Sequence, residues 1–155
     1  MIEVIIAFGS NLGNRRKNIS RGLGLLAGKG VSIKKISGLR ETAPVEGVTG
    51  GNFFNGALLA ETALAPGRLL KVLHLVEAES GRSGSHRPGE ARTLDLDIVY
   101  YGGRIINRPD LQVPHPKRLS RSFVLEPAAE IAPDFVDPVG KKKLKDLKLA
   151  QNADS

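Results

Sequence analysis

Strand-like and helix-like apolar patterns alternate along this chain in the order β-α-β-β-α-β. That order predicts an α+β fold of the ferredoxin-like kind, a βαββαβ sandwich: an antiparallel sheet, both helices on one face, and a C-terminal extension. Three observations carry the prediction. The strand candidates are short, rich in β-branched residues and bounded by glycine or polar turns. The two helix candidates carry apolar residues at helical spacing behind an Asn or Pro start signal. Two polar, glycine- and proline-containing stretches, 40–51 and 81–91, separate the rest and read as long loops.

Residues 2–8 form an apolar run that ends at Gly9, as a buried strand does. Residues 9–14 read as a turn, with Asn14 placed to cap a helix running to about Ala27. Ile19, Leu23, Leu26 and Ala27 share one face of that helix, while Gly22, Gly24 and Gly28 weaken it. Alternation over 31–36 predicts a second strand and 53–62 a third. Pro66 suits the first turn of a helix to about Ser80, whose inner face carries Leu69, Leu70, Leu73, Val76 and Glu77. Residues 93–101 form the fourth strand, and 104–106 after Gly102-Gly103 add a short hairpin partner. Beyond it, Phe123-Val124-Leu125 is a packing run, Pro127, Pro133 and Pro138 punctuate the tail, and Leu144 and Leu147 seat a final helix. One sheet face is left for a ligand, roofed by the two loops.

The fourth strand carries the chemistry. Side chains alternate faces along a strand, so Asp95 and Asp97 share one face and Leu94, Leu96 and Ile98 the other. The two carboxylates stand roughly 7 Å apart at their Cα atoms. Aspartate is a poor strand former. Paired hard oxygen ligands suit Mg²⁺, which takes one or two carboxylates and completes its shell with water and substrate phosphates. Arg82, Arg87 and Arg92 just upstream could hold such phosphates. The structural alternative is an edge strand whose charges block aggregation.

Composition sets the outer limits. A chain of 155 residues, 41% hydrophobic, suggests one domain over 1–155 with a real core. With no cysteine, disulfides, thiolate metal sites and cysteine nucleophiles are excluded. His74, His86 and His115 are widely spaced and form no metal motif. The early apolar run is too short to span a membrane and lacks a signal-peptide pattern, so a cytoplasmic protein with no membrane partner is expected. The net charge of +7 suits anionic ligands. Lys141, Lys142, Lys143, Lys145 and Lys148 read first as a solvated helix face and second as an anion site.

Six ordered segments together resemble one family. They are Gly9-Ser10-Asn11-Leu12-Gly13, Glu41-Thr42-Ala43-Pro44, Phe53-Phe54-Asn55, and Glu77 with Gly81-Arg82 and Arg92-Thr93-Leu94-Asp95-Leu96-Asp97-Ile98. Pro114-His115-Pro116 with Arg121-Ser122-Phe123-Val124-Leu125-Glu126-Pro127, and Glu130-Ile131-Ala132-Pro133, complete the set. They resemble the 6-hydroxymethyl-7,8-dihydropterin pyrophosphokinases of folate synthesis over residues 4 to about 147. The resemblance implies a monomer that takes ATP as co-substrate. It moves the diphosphoryl group to the pterin hydroxymethyl oxygen and releases AMP. It implies two Mg²⁺ ions held by Asp95 and Asp97, which with Arg82 and Arg92 make the catalytic set. It places Glu77, Arg82, Arg92, Ile98, His115 and Arg121 at the nucleotide, and Thr42, Pro44, Phe53, Asn55, Asp95 and Phe123 at the pterin. Phe53 and Phe123 would stack on the ring and Asn55 read its edge; Phe54, on the other strand face, would be core.

The chain departs from the family's usual pattern before Arg92. Gly84 and Ser85 stand where basic residues are frequent, Glu90-Ala91 replaces a frequent Gly-Pro, and Gly89 replaces a tryptophan found in some members. Two other readings are a metal-dependent phosphohydrolase, which leaves Phe53, Asn55 and Phe123 unexplained, and a basic RNA-binding sheet. The second is opposed by an aromatic content of only 5% and by two aspartates on the would-be binding face, so no nucleic-acid partner is expected.

Overall fold

The computed structural model describes residues 1–44, 50–81 and 93–153. In chain order the elements are β1 (Ile2–Ser10), α1 (Arg15–Ala27), β2 (Val31–Ile36), β3 (Arg40–Thr42), β4 (Phe53–Thr62), α2 (Pro66–Glu79), β5 (Asp95–Tyr101), β6 (Ile106–Arg108), β7 (Leu111–Val113), α3 (Ser122–Ile131) and α4 (Leu144–Ala153). The main sheet runs β2-β4-β1-β5 with antiparallel pairing throughout, and β3 pairs with the start of β4. This is the expected ferredoxin-like core. No helix among the described residues is long and apolar enough to cross a membrane.

Local signals explain the helices. The Asn14 side chain accepts the Lys17 N–H at 3.2 Å and caps α1, while Pro66 opens α2 where its missing N–H is harmless. Gly22, a weak helix former, has a packing reason. A Cβ there would lie 2.3 Å from Leu94 Cδ2, so the glycine lets α1 close onto the residue before Asp95. On this helix side the sheet presents Val4, Ile6, Phe8, Leu58, Leu94, Leu96 and Ile98 to Leu23, Leu26, Leu69, Leu73 and Val76, forming one filled core. A bulge between Ile5 and Ile6 lets Ile5 face Tyr100 while Ile6 faces Ile98. Strict alternation along β5 therefore ends there, and Val99 and Tyr100 both join the core on the opposite face.

Three differences from the sequence reading bear on the site. Gly9 and Ser10 continue β1 instead of starting a turn, because they pair with Asn55 and Phe54 of β4. Arg40–Thr42, expected as loop, forms β3 because β4 offers it an unpaired edge at Phe53, Phe54 and Asn55. The packing run at 123–125 belongs to a ten-residue helix, α3, that includes Pro127. That proline removes one intrahelical bond, and burial of Val124, Leu125, Ala128, Ala129 and Ile131 against the sheet offsets it. Consequently the second face of the sheet is not wholly free. α3 and α4 cover most of it, over Ile5, Ala57, Val99 and Tyr100. The end where β1 finishes and β4 and β5 begin is left open.

Candidate active site

That open end is a cavity of about 220 Å³. Its floor comes from alternate residues of three neighbouring strands: Phe53 and Asn55 on β4, Ala7 and Gly9 on β1, Asp95, Asp97 and Val99 on β5. The pairing puts Asn55, Gly9 and Asp95 in one row, with Ala57, Ala7 and Asp97 in the next. Two inter-strand steps separate Asn55 from Asp95, or roughly 10 Å. The residues between them are the smallest available. A Cβ on Gly9 would lie 2.7 Å from Asn55 Oδ1 and 3.4 Å from the Phe53 ring, so the row is hollow because β1 places no side chain there.

Asn55 is held in orientation. Its Nδ2 donates to Thr42 Oγ1, and its Oδ1 lies over Gly9. Thr42, on β3, thus lines the cavity and also orients the amide. Ala43 joins the lining; Pro44 does not. β3 is in turn tied to α3: Arg40 Nη2 contacts Glu130 Oε1 at 3.0 Å, and Glu130 Oε2 accepts the Gly38 N–H at 2.9 Å. That amide, together with Arg40, holds the Glu130 carboxyl below its usual range.

The roof comes from the start of α3 and the turn before it. Phe123, Val124, Arg121 and His115 line it. The Arg121 guanidinium lies 5.5 Å from the Phe123 ring centroid, a cation–π distance. The amino end of α3 adds a positive dipole to the same region. His115 follows a cis Val113–Pro114 peptide, and its N–H donates to Val99 O of β5 at 2.9 Å. Burial pushes its pKa down, the charges of Arg121 and Lys117 push the same way, and Asp95 opposes them.

Two residues assigned to the nucleotide by resemblance do not line this cavity. Ile98 is buried in the helix-side core, on the face opposite Asp97. Glu77 is buried as well, and its Oε2 accepts the Leu96 N–H at 2.8 Å. β5 is an edge strand, and edge strands leave alternate amides without a strand partner. Glu77 takes up the one between the two aspartates. Phe54 faces away from the cavity and is half-buried, with the Arg15 guanidinium 3.8 Å from its ring centroid. Arg82, Arg87 and Arg92, and the departures at 84–91, lie outside the described residues. The lysines around 141–145 are mostly surface groups, two of them near Asp134 at 3.6 and 3.3 Å.

Sequence reasoning missed the small residues of the floor and the hydrogen-bond partners of the roof. Ala7 and Gly9, two apart in a strand otherwise rich in large apolar side chains, were the available signal for the floor. No local pattern announced the hydrogen-bond partners of the roof.

Fold and site together define a ferredoxin-like α+β protein with a small-molecule cleft, amide- and aromatic-lined on one side and carboxylate-lined on the other. The chain belongs to the 7,8-dihydro-6-hydroxymethylpterin-pyrophosphokinase (HPPK) family, whose profile matches residues 5–133. It is 36% identical to the 2-amino-4-hydroxy-6-hydroxymethyldihydropteridine pyrophosphokinase of Aquifex aeolicus, over 96% of this chain and 91% of that one. With the protein of the same name from Pseudomonas aeruginosa the identity is 37%, over 90% of this chain and 86% of that one. A folic acid synthesis protein of Pneumocystis carinii is 43% identical over 88% of this chain, but the chain spans only 18% of that longer protein's length. Among solved structures, wild-type HPPK-DHPS of Plasmodium falciparum with pteroate superposes with a TM-score of 0.76. The match covers 96% of this chain and 44% of that one, and at 12% identity it is a likeness of fold.

Proposed function

We propose that this chain transfers the β,γ-diphosphoryl group of ATP to the hydroxymethyl oxygen of 6-hydroxymethyl-7,8-dihydropterin, releasing AMP, as a step of folate synthesis. Family membership and the activity for which the bacterial relatives are named support the reading. The observation that carries it is the row Asn55–Gly9–Asp95. An oriented amide, a gap with no side chain and a carboxylate follow one another over a span suited to a flat two-ring heterocycle bearing one reactive arm. Phe53 from the floor and Phe123 from the roof supply rings for stacking, and the amide of Asn55, steadied by Thr42, reads the ring edge. The arm then extends toward Asp95 and Asp97.

Those two carboxylates suit a pair of Mg²⁺ ions. Among the described residues no group of three or more carboxylate, imidazole or thiolate side chains could close around a metal. An ion held here would complete its shell with water and phosphate oxygens, as Mg²⁺ does. When bound, the ions neutralise phosphate charge and align the attacking and leaving oxygens. The protein's own part is positioning. Asp95 and Asp97 fix the reacting end, and His115 and Arg121 meet phosphate oxygens from the roof. Arg82 and Arg92 complete the anion contacts and form the catalytic set with the aspartates. In the reaction the pterin hydroxymethyl oxygen bonds to the β-phosphorus, the bond from that phosphorus to the α,β-bridging oxygen breaks, and the hydroxyl proton is lost to solvent or a carboxylate. The reading takes a cytoplasmic monomer as the working unit.

The test mixes the protein with ATP, Mg²⁺ and the pterin and identifies the adenine nucleotide formed. Pterin-dependent AMP is expected, and a chelator should abolish it. ADP would make the chain an ordinary kinase; pterin-independent hydrolysis would return it to the phosphohydrolases.

A further inference from the structure

A buried charged network lies behind the roof of the cavity. The Asp137 side chain is 1% exposed and that of Arg118 11%. Arg118 Nε donates to Asp137 Oδ2 at 2.6 Å and Nη2 to Oδ1 at 3.2 Å. The Tyr100 hydroxyl donates to Oδ2 at 2.6 Å, and the amides of Val139 and Gly140 donate to Oδ1 at 2.9 and 3.2 Å. Every lone-pair direction of the carboxylate is thereby used, so the guanidinium is fixed in place as well as neutralised. The remaining arm of that guanidinium, Nη1, donates to the carbonyl of His115 at 3.2 Å, and the Arg118 amide donates to the same oxygen at 3.1 Å.

His115 is thus gripped from three directions. Its amide is bound to Val99 O of β5, its carbonyl to Arg118, and its Nδ1 accepts the Lys117 N–H at 3.1 Å. A backbone N–H can only donate, so Nδ1 must offer a lone pair. The ring proton of the neutral imidazole is then on Nε2. Burial and the charges of Arg121 and Lys117 push in the same direction, against Asp95.

We propose that Asp137, acting through Arg118, is a positioning residue that sets the His115 turn so that the imidazole serves the cavity as an Nε2–H donor. Asp137 lies 22 residues further along the chain in the C-terminal extension and does not line the cavity. The extension would then form part of the nucleotide-binding apparatus in addition to covering the sheet. The proposal rests on the reading of His115 as a phosphate contact for its kinetic consequence, but not for the ring geometry.

Two variants test it. Arg118→Lys keeps a buried cation beside Asp137 and loses the fork that reaches the His115 carbonyl; Asp137→Asn removes the anchor. In each, KM for ATP should rise roughly tenfold, as expected for loss of one charge-assisted hydrogen bond. KM for the pterin should stay within about twofold, since Asn55, Phe53 and Phe123 are untouched. Imidazole ¹⁵N shifts provide a second readout: wild type should show a single Nε2–H tautomer for His115, and Arg118→Lys a mixture. A lowered melting temperature with unchanged KM for ATP and unchanged His115 shifts would overturn the proposal and make the network purely structural. Should Asp137→Asn not fold, Arg118→Lys alone decides. Failure of the wild-type protein to turn over ATP and the pterin would defeat the functional reading, and the ring shifts would still judge the positioning.

Discussion

The two faces of one sheet carry opposite kinds of residue on the same strands. Toward α1 and α2, β1, β5 and the residue that leads into β5 present Val4, Ile6, Phe8, Leu94, Leu96 and Ile98, all nearly inaccessible. One residue beyond Ile6, Phe8, Leu94 and Leu96, the other face has Ala7, Gly9, Asp95 and Asp97, and a cavity instead of a core. The filled face holds the strands rigid. The opposite face can therefore carry poor strand formers and an empty row without losing register, because a slip by one residue would bury both aspartates and expose both leucines. α3 and α4 sharpen the contrast by covering the middle of the second face over Ile5, Ala57, Val99 and Tyr100 and leaving that end open.

Substitutions on the two faces should therefore fail differently. The largest effect is expected at Asp95→Ala and Asp97→Ala. Turnover should fall by roughly 10²- to 10³-fold or more, the scale of removing one preorganised charge-stabilising group, with the melting temperature close to wild type. Near-normal activity in either variant would break the comparison, since the open face would then hold no essential carboxylate. Ile6→Ala, on the filled face, should lower stability by about 2–5 kcal/mol in denaturant titrations. The folded fraction should keep its KM for both substrates. A selective change in pterin KM there would mean that the faces are coupled.

Acid should act through the extension. Burial alone would raise the Asp137 carboxyl. The hydrogen bonds from Arg118 and Tyr100 and from the amides of Val139 and Gly140 outweigh it and bring the group down to about 2 from an ordinary 3.8. A depressed folded value means that the contribution is complete above the unfolded pKa, near 4, and is lost as pH falls toward 2. It amounts to about 2 kcal/mol. Asp137→Asn should flatten that segment of the stability–pH curve, and an unchanged acid limb would contradict the network as described. The smallest effect is expected at Phe123→Ala, which should weaken pterin binding by about 0.5–1.5 kcal/mol, the worth of one aromatic pair, and ATP binding by less. Equal losses for both ligands in a titration would assign Phe123 to packing.

What was legible in the sequence follows from period and local chemistry. Alternation at Asp95 and Asp97, the Asn14 cap and Pro66 at a helix start are each written within a few residues, and each stands in the structure where it was read. Gly9 was misread as a turn because glycine permits a turn locally, whereas here it is demanded by Asn55 and Phe53 from the next strand. Glu77 shows the same limit. On its helix it reads as an inner-face or nucleotide-side carboxylate, and only the docking of an edge strand beside it supplies the Leu96 amide that it accepts.

By itself the chain determined its order of strands and helices, the shared face of its two aspartates and the family to which its motifs belong, since the first two rest on spacings within single elements and the third on the order of short motifs along the chain. Tertiary structure decided which end of the second sheet face stays open, how the Asn55 amide is turned, and that a carboxylate in the extension grips the turn bearing His115. Those outcomes depend on contacts between residues 13 to 92 positions apart. Such contacts arise only when separate elements compete for the same buried space and the same unpaired polar groups.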